Sequence, residues 1–175
     1  EKGLAKWLVE SIKDCNMVKD VFSGDAIPKK PYEKILEKYF GSYAPMIMAR
    51  PDIVLVVEDF RKVVDEWFLI AVELKYFKEV NREHWREAYQ KIGQALRYLV
   101  YGFDSAVLWH VFEGNVGNGV VKAYSDVIAE VIEKLKLPIV YYSTKMVNRE
   151  KFLVFKPLEI PASDVCYITS WMIDY

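Results

Sequence analysis

The sequence predicts an α/β protein: a mixed sheet whose first part is an antiparallel meander, covered by helices on both faces. Three observations predict it. The runs Ile53–Glu58 and Trp67–Phe77 are apolar at consecutive positions, as strands buried on both faces are. Helical periodicity flanks them, in Leu4 to Val21 before and in Arg82 to Tyr101 after. Beyond Tyr101, strand-like and helix-like segments alternate.

Taken in order, Leu4, Trp7, Leu8, Ile12, Cys15 and Val18 recur at mostly three- and four-residue steps, predicting an amphipathic helix ended by Ser23-Gly24-Asp25. After Pro28 and Pro31, residues Tyr32, Ile35, Leu36, Tyr39 and Phe40 form the apolar side of a second short helix, closed by Gly41. Met46–Ala49, Ile53–Glu58 and Trp67–Phe77 are strands, rich in Val, Ile, Leu and aromatics. Arg82 to Tyr101 is a helix with Trp85, Ala88, Tyr89, Ile92, Ala95, Leu96 and Leu99 as its buried stripe. Ser105–Phe112 is a strand, Ala123–Leu135 a helix and Ile139–Tyr142 a strand. The tail from Ser143 to Tyr175 is broken by Pro157 and Pro161, with Leu153–Phe155 and Val165–Ile168 as candidate edge strands. The order is therefore α-β-β-β-α-β followed by α-β. One domain over 1–175 is expected, with an N-terminal helical segment at 1–24, an α/β core at 32–142 and a C-terminal extension at 143–175.

A chain of 175 residues with 53% hydrophobic and 28% charged residues has ample material for one core and does not read as disordered. The 24 Lys+Arg against 25 Asp+Glu leave a net charge of -1, so nucleic-acid binding requires a local basic surface and not a global field. Cys15 and Cys166 have no Cys-x-x-Cys spacing and no His pair nearby, which argues against a zinc site or a disulfide framework and fits a reducing cytoplasm. The apolar runs are far shorter than the roughly 20 residues that span a bilayer, so no membrane association is expected.

Chemistry concentrates on the first long hairpin. If Ile53–Glu58 and Trp67–Glu73 pair across a loop around Asp59–Glu66, the simplest register opposes residues whose numbers sum to 125, and Asp52 then faces Glu73. Directly opposed residues lie about 4.5–5.5 Å apart at Cβ, where like charges repel and call for a counter-charge. Lys75 lies on the same face as Glu73, while Leu74 points the other way. A divalent cation completes the charge balance. Hard carboxylate oxygens favour Mg²⁺ or Mn²⁺, and such ions take one or two carboxylates plus water and phosphate oxygens. Such a cation activates a water and neutralises a phosphodiester, with Lys75 orienting or deprotonating that water.

Pro51-Asp52, then 20 residues, then Glu73-Leu74-Lys75 resembles the signature of the PD-(D/E)XK nuclease superfamily. The α-β-β-β-α-β order resembles that family's restriction-endonuclease-like core. Gln94-Ala95-Leu96-Arg97-Tyr98, on the helix after Lys75, resembles the Gln-x-x-x-Tyr motif of its RecB-like branch. The resemblance covers roughly Tyr32 to Phe112. It implies a metal-dependent DNase, with Mg²⁺ or Mn²⁺ held by Asp52, Glu73 and the main-chain carbonyl of Leu74, and with Lys75 positioning the nucleophilic water. Gln94 and Tyr98 hold substrate or the active-site network, and a further acidic group comes from Glu33, or from Glu37, on the preceding helix. DNA is the implied partner, with RNA open, and paired-strand cleavage would suit a homodimer formed through the apolar C-terminal tail. The alternative is a non-catalytic module on the same fold that binds nucleic acid or a protein.

Several features have plainer readings. Glu73 and Lys75 also fit a solvated cross-strand pair at a sheet edge. Gln94 and Tyr98 also fit an ordinary half-buried helix face. Arg82, Arg86, Lys91 and Arg97 could track a phosphate backbone or simply line a solvated side, and Lys91 shares a helical face with Gln94 and Tyr98. Gly114-Asn115-Val116-Gly117-Asn118-Gly119 has P-loop spacing, but Val120-Val121 stands where Lys-Ser/Thr is needed, so it reads as a flexible turn. His84 and His110 are 26 residues apart with no ligand partner at regular spacing and read as structural.

Overall fold

The computed structural model describes residues 2–13, 18–24, 37–38, 41–43, 50–58, 67–148 and 151–157. Its elements are α1 (Lys2–Ile12), β1 (Val18–Ser23), a 3-10 turn (Gly41–Tyr43), β2 (Ile53–Glu58), β3 (Trp67–Phe77), α2 (Arg82–Val100), β4 (Ser105–Phe112), α3 (Asn118–Lys134), β5 (Val140–Met146) and β6 (Phe152–Lys156). The six strands form one mixed sheet in sequence order. β1, β2 and β3 are an antiparallel meander, β3, β4 and β5 run parallel, and β6 returns antiparallel at the far edge. A parallel neighbour requires a crossover, and α2 and α3 are those crossovers.

The period of two divides the sheet into two dry faces. Ile53, Leu55, Val57, Ile70, Val72, Leu74, Val107, Trp109 and Val111 point to one, where Ala5, Leu8, Val9 and Ile12 of α1 cover them. Ala71, Phe77, Ala106, Leu108, Phe112 and Tyr141 point to the other, under Ile92, Ala95 and Tyr98 of α2 and Val121, Tyr124 and Ile128 of α3. Burying each such Leu, Ile or Val contributes about 1.5–3 kcal/mol, so the continuous apolar runs of β2 and β3 are what bring helices to both sides. Glu73, Lys75 and His110 share the α2/α3 face with Ala71 and Phe77, because their positions have the same parity along paired strands.

Three sequence expectations are corrected. The helix expected over Leu4 to Val21 ends at Ile12, and Val18–Ser23 forms β1 against β2. Val18 and Val21, three residues apart, are both buried because the register shifts between Val18 and Asp20. A bulge thus puts on one face two residues that a regular strand would separate, which mimics helical spacing. The open edge of β2 needs a partner, and that tertiary demand overrides the local periodicity. As a result the leading helix and first strand of the described α-β-β-β-α-β order are α1 and β1. The expected helix at 32–40 and strand Met46–Ala49 lie outside the described residues, apart from Glu37 and Lys38, which are helical and exposed.

The second correction is α3, which starts at Asn118 and not Ala123, directly after Gly117, so only 114–117 form the turn. Val121, Tyr124, Ser125, Ile128 and Ile132 are its buried stripe, and Val121 belongs to it although the glycines beside it suggested a loop. The third is the C-terminal extension: β5 continues through Ser143 to Met146 and pairs with β6, so the sheet extends well past residue 142. The polar Ser143 and Thr144 are buried because Ser143 bonds Ser125 Oγ and Thr144 Oγ1 accepts the Trp109 Nε1–H at 2.9 Å. The candidate strand at 153–155 is the middle of β6, and the one at Val165–Ile168 lies outside the described residues. Among the described residues no helix is long and apolar enough to cross a membrane.

Candidate active site

The site sits where β2 begins, beside the middle of β3 and beneath α2. The register is the expected one, Ile53 opposite Val72 through Glu58 opposite Trp67. Just before this ladder, Asp52 N–H donates to the Val72 carbonyl at 2.9 Å, which holds Asp52 against the residue preceding Glu73. One further bond fixes this end of the sheet. Gly24 N–H donates to the Asp52 carbonyl at 2.8 Å, and a Cβ on Gly24 would lie 2.1 Å from the Pro51 carbonyl oxygen, so the close approach of β1 to Pro51 needs glycine.

The Asp52 carboxylate is half-buried, and its Oδ2 accepts the Leu74 N–H at 2.8 Å. A strand residue turns its N–H and C=O to the same side, so the Leu74 carbonyl also faces the Asp52 end of β2. The Leu74 side chain goes to the opposite face and is fully buried.

Glu73 is only 2% exposed, on the third strand of six. A solvated edge pair with Lys75 is thereby excluded. Both of its oxygens are engaged by α2: Lys91 Nζ donates to Oε1, and the Tyr98 hydroxyl lies on Oε2. The counter-charge seen on Glu73 therefore comes from Lys91, whereas the sequence pointed to Lys75. Tyr98 is fully buried, and its hydroxyl also lies 2.9 Å from the Arg50 carbonyl, so its one proton serves two acceptors. An ordinary half-exposed helix face does not describe Tyr98. Lys91 and Gln94 are half-buried on α2 within two turns of Tyr98.

Lys75 is half-buried, one strand position beyond Leu74 on the face of Glu73, and its register partner on β4 is His110. His110 is fully buried among Phe77, Tyr124 and Tyr141. Burial first, and then the charges of Lys75 and Lys91, push its pKa down to about 3, so it is a neutral imidazole. Its Nδ1 lies 3.0 Å from the Tyr141 hydroxyl, and its Nε2 has no hydrogen-bond partner among the described residues. Burial also raises the Tyr141 pKa, while bonds to Ser125 and Ser143 oppose that shift. The sequence reading of His110 as structural missed its position beside Lys75, because only the parallel β3/β4 register reveals it.

The structure thus brings together Asp52, Glu73, Leu74, Lys91 and Tyr98, with Lys75 on the same face. Glu33 lies outside the described residues, as do the side chains of Arg82, His84 and Arg86, and Glu37 is exposed. No cluster of three or more His, Cys, Asp or Glu side chains able to hold a metal occurs among the described residues. Asp52, Glu73 and the Leu74 carbonyl are nevertheless a hard-oxygen set, and two carboxylates plus solvent and phosphate oxygens fit an ion of the Mg²⁺ class. The chain matches no protein-family model and no curated protein.

Arg50 and Lys6 are the residues the sequence reading passed over. Arg50 offers its carbonyl to Tyr98, and it lines a cleft together with Asp52, Lys6 of α1, Ser23 and Gly24. The position of Arg50, immediately before Pro51-Asp52, was the available signal for it. Lys6 had none, since its approach to Asp52 depends on how α1 lies on the sheet.

Proposed function

We propose that the protein is a metal-dependent nuclease of the PD-(D/E)XK type on a restriction-endonuclease-like core, hydrolysing phosphodiester bonds of DNA or, as a second substrate, RNA. The observation that carries this reading is the bond from the Leu74 N–H to Asp52 Oδ2, which joins the carboxylate at the start of β2 to the backbone between Glu73 and Lys75. Asp52, Glu73 and the Leu74 carbonyl would hold a Mg²⁺ or Mn²⁺ ion. When bound, the ion supplies Lewis acidity, lowering the pKa of a water and neutralising charge on the phosphodiester. Lys75 would orient that water toward phosphorus or, in its neutral amine form, take its proton. Tyr98 and Lys91 fix the Glu73 carboxylate against β3, which limits the rotamers it must lose on taking up its role. Gln94, on the same helix, is assigned to the substrate side.

One observation favours the second reading, a non-catalytic binding module: the Lys91 ammonium sits on Glu73 Oε1, where it can stand in for a metal's charge. Incubating the protein with labelled linear, circular and single-stranded DNA in Mg²⁺, Mn²⁺ or EDTA separates the two. Metal-dependent cleavage supports the nuclease, and cutting of the circle identifies internal attack. Binding of DNA without cleavage under every condition supports the module.

A further inference from the structure

We infer that the cleft between α1 and the start of β2, lined by Lys6, Ser23, Gly24, Arg50 and Asp52, binds a second phosphate of the polynucleotide strand, apart from the one attacked beside Lys75. The inference rests on the nucleic-acid substrate of the proposed function. Two basic residues, Lys6 and Arg50, line this cleft from elements far apart in sequence. Lys6 is exposed on the solvent side of α1, next to buried Ala5. Arg50 is half-buried, and its Nη2 is enclosed with no hydrogen-bond partner among the described residues. An enclosed guanidinium N–H without an acceptor is costly, and its planar fork matches two phosphate oxygens.

The surroundings favour an anion over other occupants. Gly24 N–H is spent on the Asp52 carbonyl and adds no donor here, while Ser23 among the lining residues carries a hydroxyl that can donate to an anion. Asp52 is the one acidic residue among the described residues that line the cleft, and its Oδ2 is tied back to Leu74 N–H. Because Asp52 belongs to both the cleft and the carboxylate pair, a strand whose phosphate rests on Arg50 and Lys6 passes directly to the reacting centre. A free phosphate would satisfy the same donors, but only a polynucleotide would couple the cleft to that centre.

The test is fluorescence anisotropy of a labelled single-stranded oligodeoxynucleotide in EDTA, where no cleavage occurs, over a range of salt. The proteins are wild type, Lys6→Ala, Arg50→Gln, Arg50→Lys and the remote surface variant Lys134→Ala, each with its unfolding midpoint measured. Loss of one charge-assisted phosphate contact weakens binding about tenfold and lowers the slope of log K against log salt by about 0.7. Lys6→Ala and Arg50→Gln are expected to show both changes. Arg50→Lys keeps the charge but loses the fork, so it is expected to weaken binding with the slope retained, and Lys134→Ala to match wild type.

Unchanged affinity and slope in Lys6→Ala, an exposed site where misfolding is not at issue, would overturn the inference. So would competition by inorganic phosphate that equals the oligonucleotide per phosphate group, which would mark a free-anion site. Wild type that binds the oligonucleotide through Lys6 and Arg50 but never cleaves it would leave the inference standing and remove the nuclease reading. Cleaving wild type whose binding ignores both residues would do the reverse.

Discussion

Asp52 and Leu74 are joined across the β2/β3 hairpin by a 2.8 Å bond from the Leu74 N–H to Asp52 Oδ2. The bond fixes the carboxylate at the residue that separates Glu73 from Lys75. Asp52→Ala therefore removes an acceptor from a backbone donor on a buried strand, and such a loss costs about 1–3 kcal/mol. Urea unfolding of the metal-free protein is expected to show this loss, and an unchanged midpoint would mean that solvent replaces the bond.

Lys91 and Glu73 make the second test. Glu73 is buried and Lys91 partly so, and removing one member of a buried pair typically costs about 3–5 kcal/mol because a charge is left without compensation. Lys91→Met is expected to lose stability of that order without metal and to recover much of it in millimolar Mn²⁺, since a ligand of the folded state stabilises it. Thermal unfolding with and without Mn²⁺ checks this. A variant that Mn²⁺ fails to rescue would argue against a cation site at Glu73.

Tyr98 positions Glu73 without being assigned to the reaction. Tyr98→Phe keeps the ring in its packing beside Phe103 and removes only the hydroxyl shared by Glu73 and the Arg50 carbonyl. Outer partners of metal ligands typically contribute 10–100-fold to affinity, so Mn²⁺ binding by titration calorimetry is expected to weaken by about that factor. A merely structural role would lower stability and leave the Mn²⁺ affinity unchanged.

His110 links stability to pH. In the folded protein its pKa is about 3, against an ordinary value of 6.5, under the charges of Lys75 and Lys91 and with Tyr124 and Tyr141 packed on its ring. The unfolded chain takes up a proton below pH 6.5 that the folded chain refuses, so the contribution is complete above that pH and is lost as pH falls toward 3. At pH 5.5 the loss is about 1.4 kcal/mol. Urea midpoints at pH 7.5 and 5.5 are expected to differ by that amount more for wild type than for His110→Phe. Equal differences would show that the imidazole titrates freely.

The central hairpin was legible in the sequence because its evidence is local: two dense apolar runs fix the strands, and the period of two fixes which side chains share a face. The nearness of Asp52 to the Glu73-Leu74-Lys75 stretch followed from that register. What was not legible depended on partners distant in sequence. Val18 and Val21 read as helix until the edge of β2 supplied a partner and a bulge supplied their phase. Ser143 and Thr144 fell outside the strand expected over 139–142 because their bonds to Ser125 and Trp109 come from other elements. Lys91 on Glu73, His110 beside Lys75, and Lys6 near Asp52 likewise arise from helix placement and parallel pairing, which no local pattern encodes.

The most direct test of the nuclease reading is the cleavage rate of end-labelled DNA in Mg²⁺, under single-turnover conditions, for wild type and Lys75→Ala at matched DNA occupancy. Loss of a positioned acid–base group typically slows such a step by about 10²–10⁴-fold. The account predicts metal-dependent cleavage by wild type and a drop of that size in Lys75→Ala with binding retained. Cleavage that persists in EDTA, or that proceeds equally well in Lys75→Ala, would contradict it.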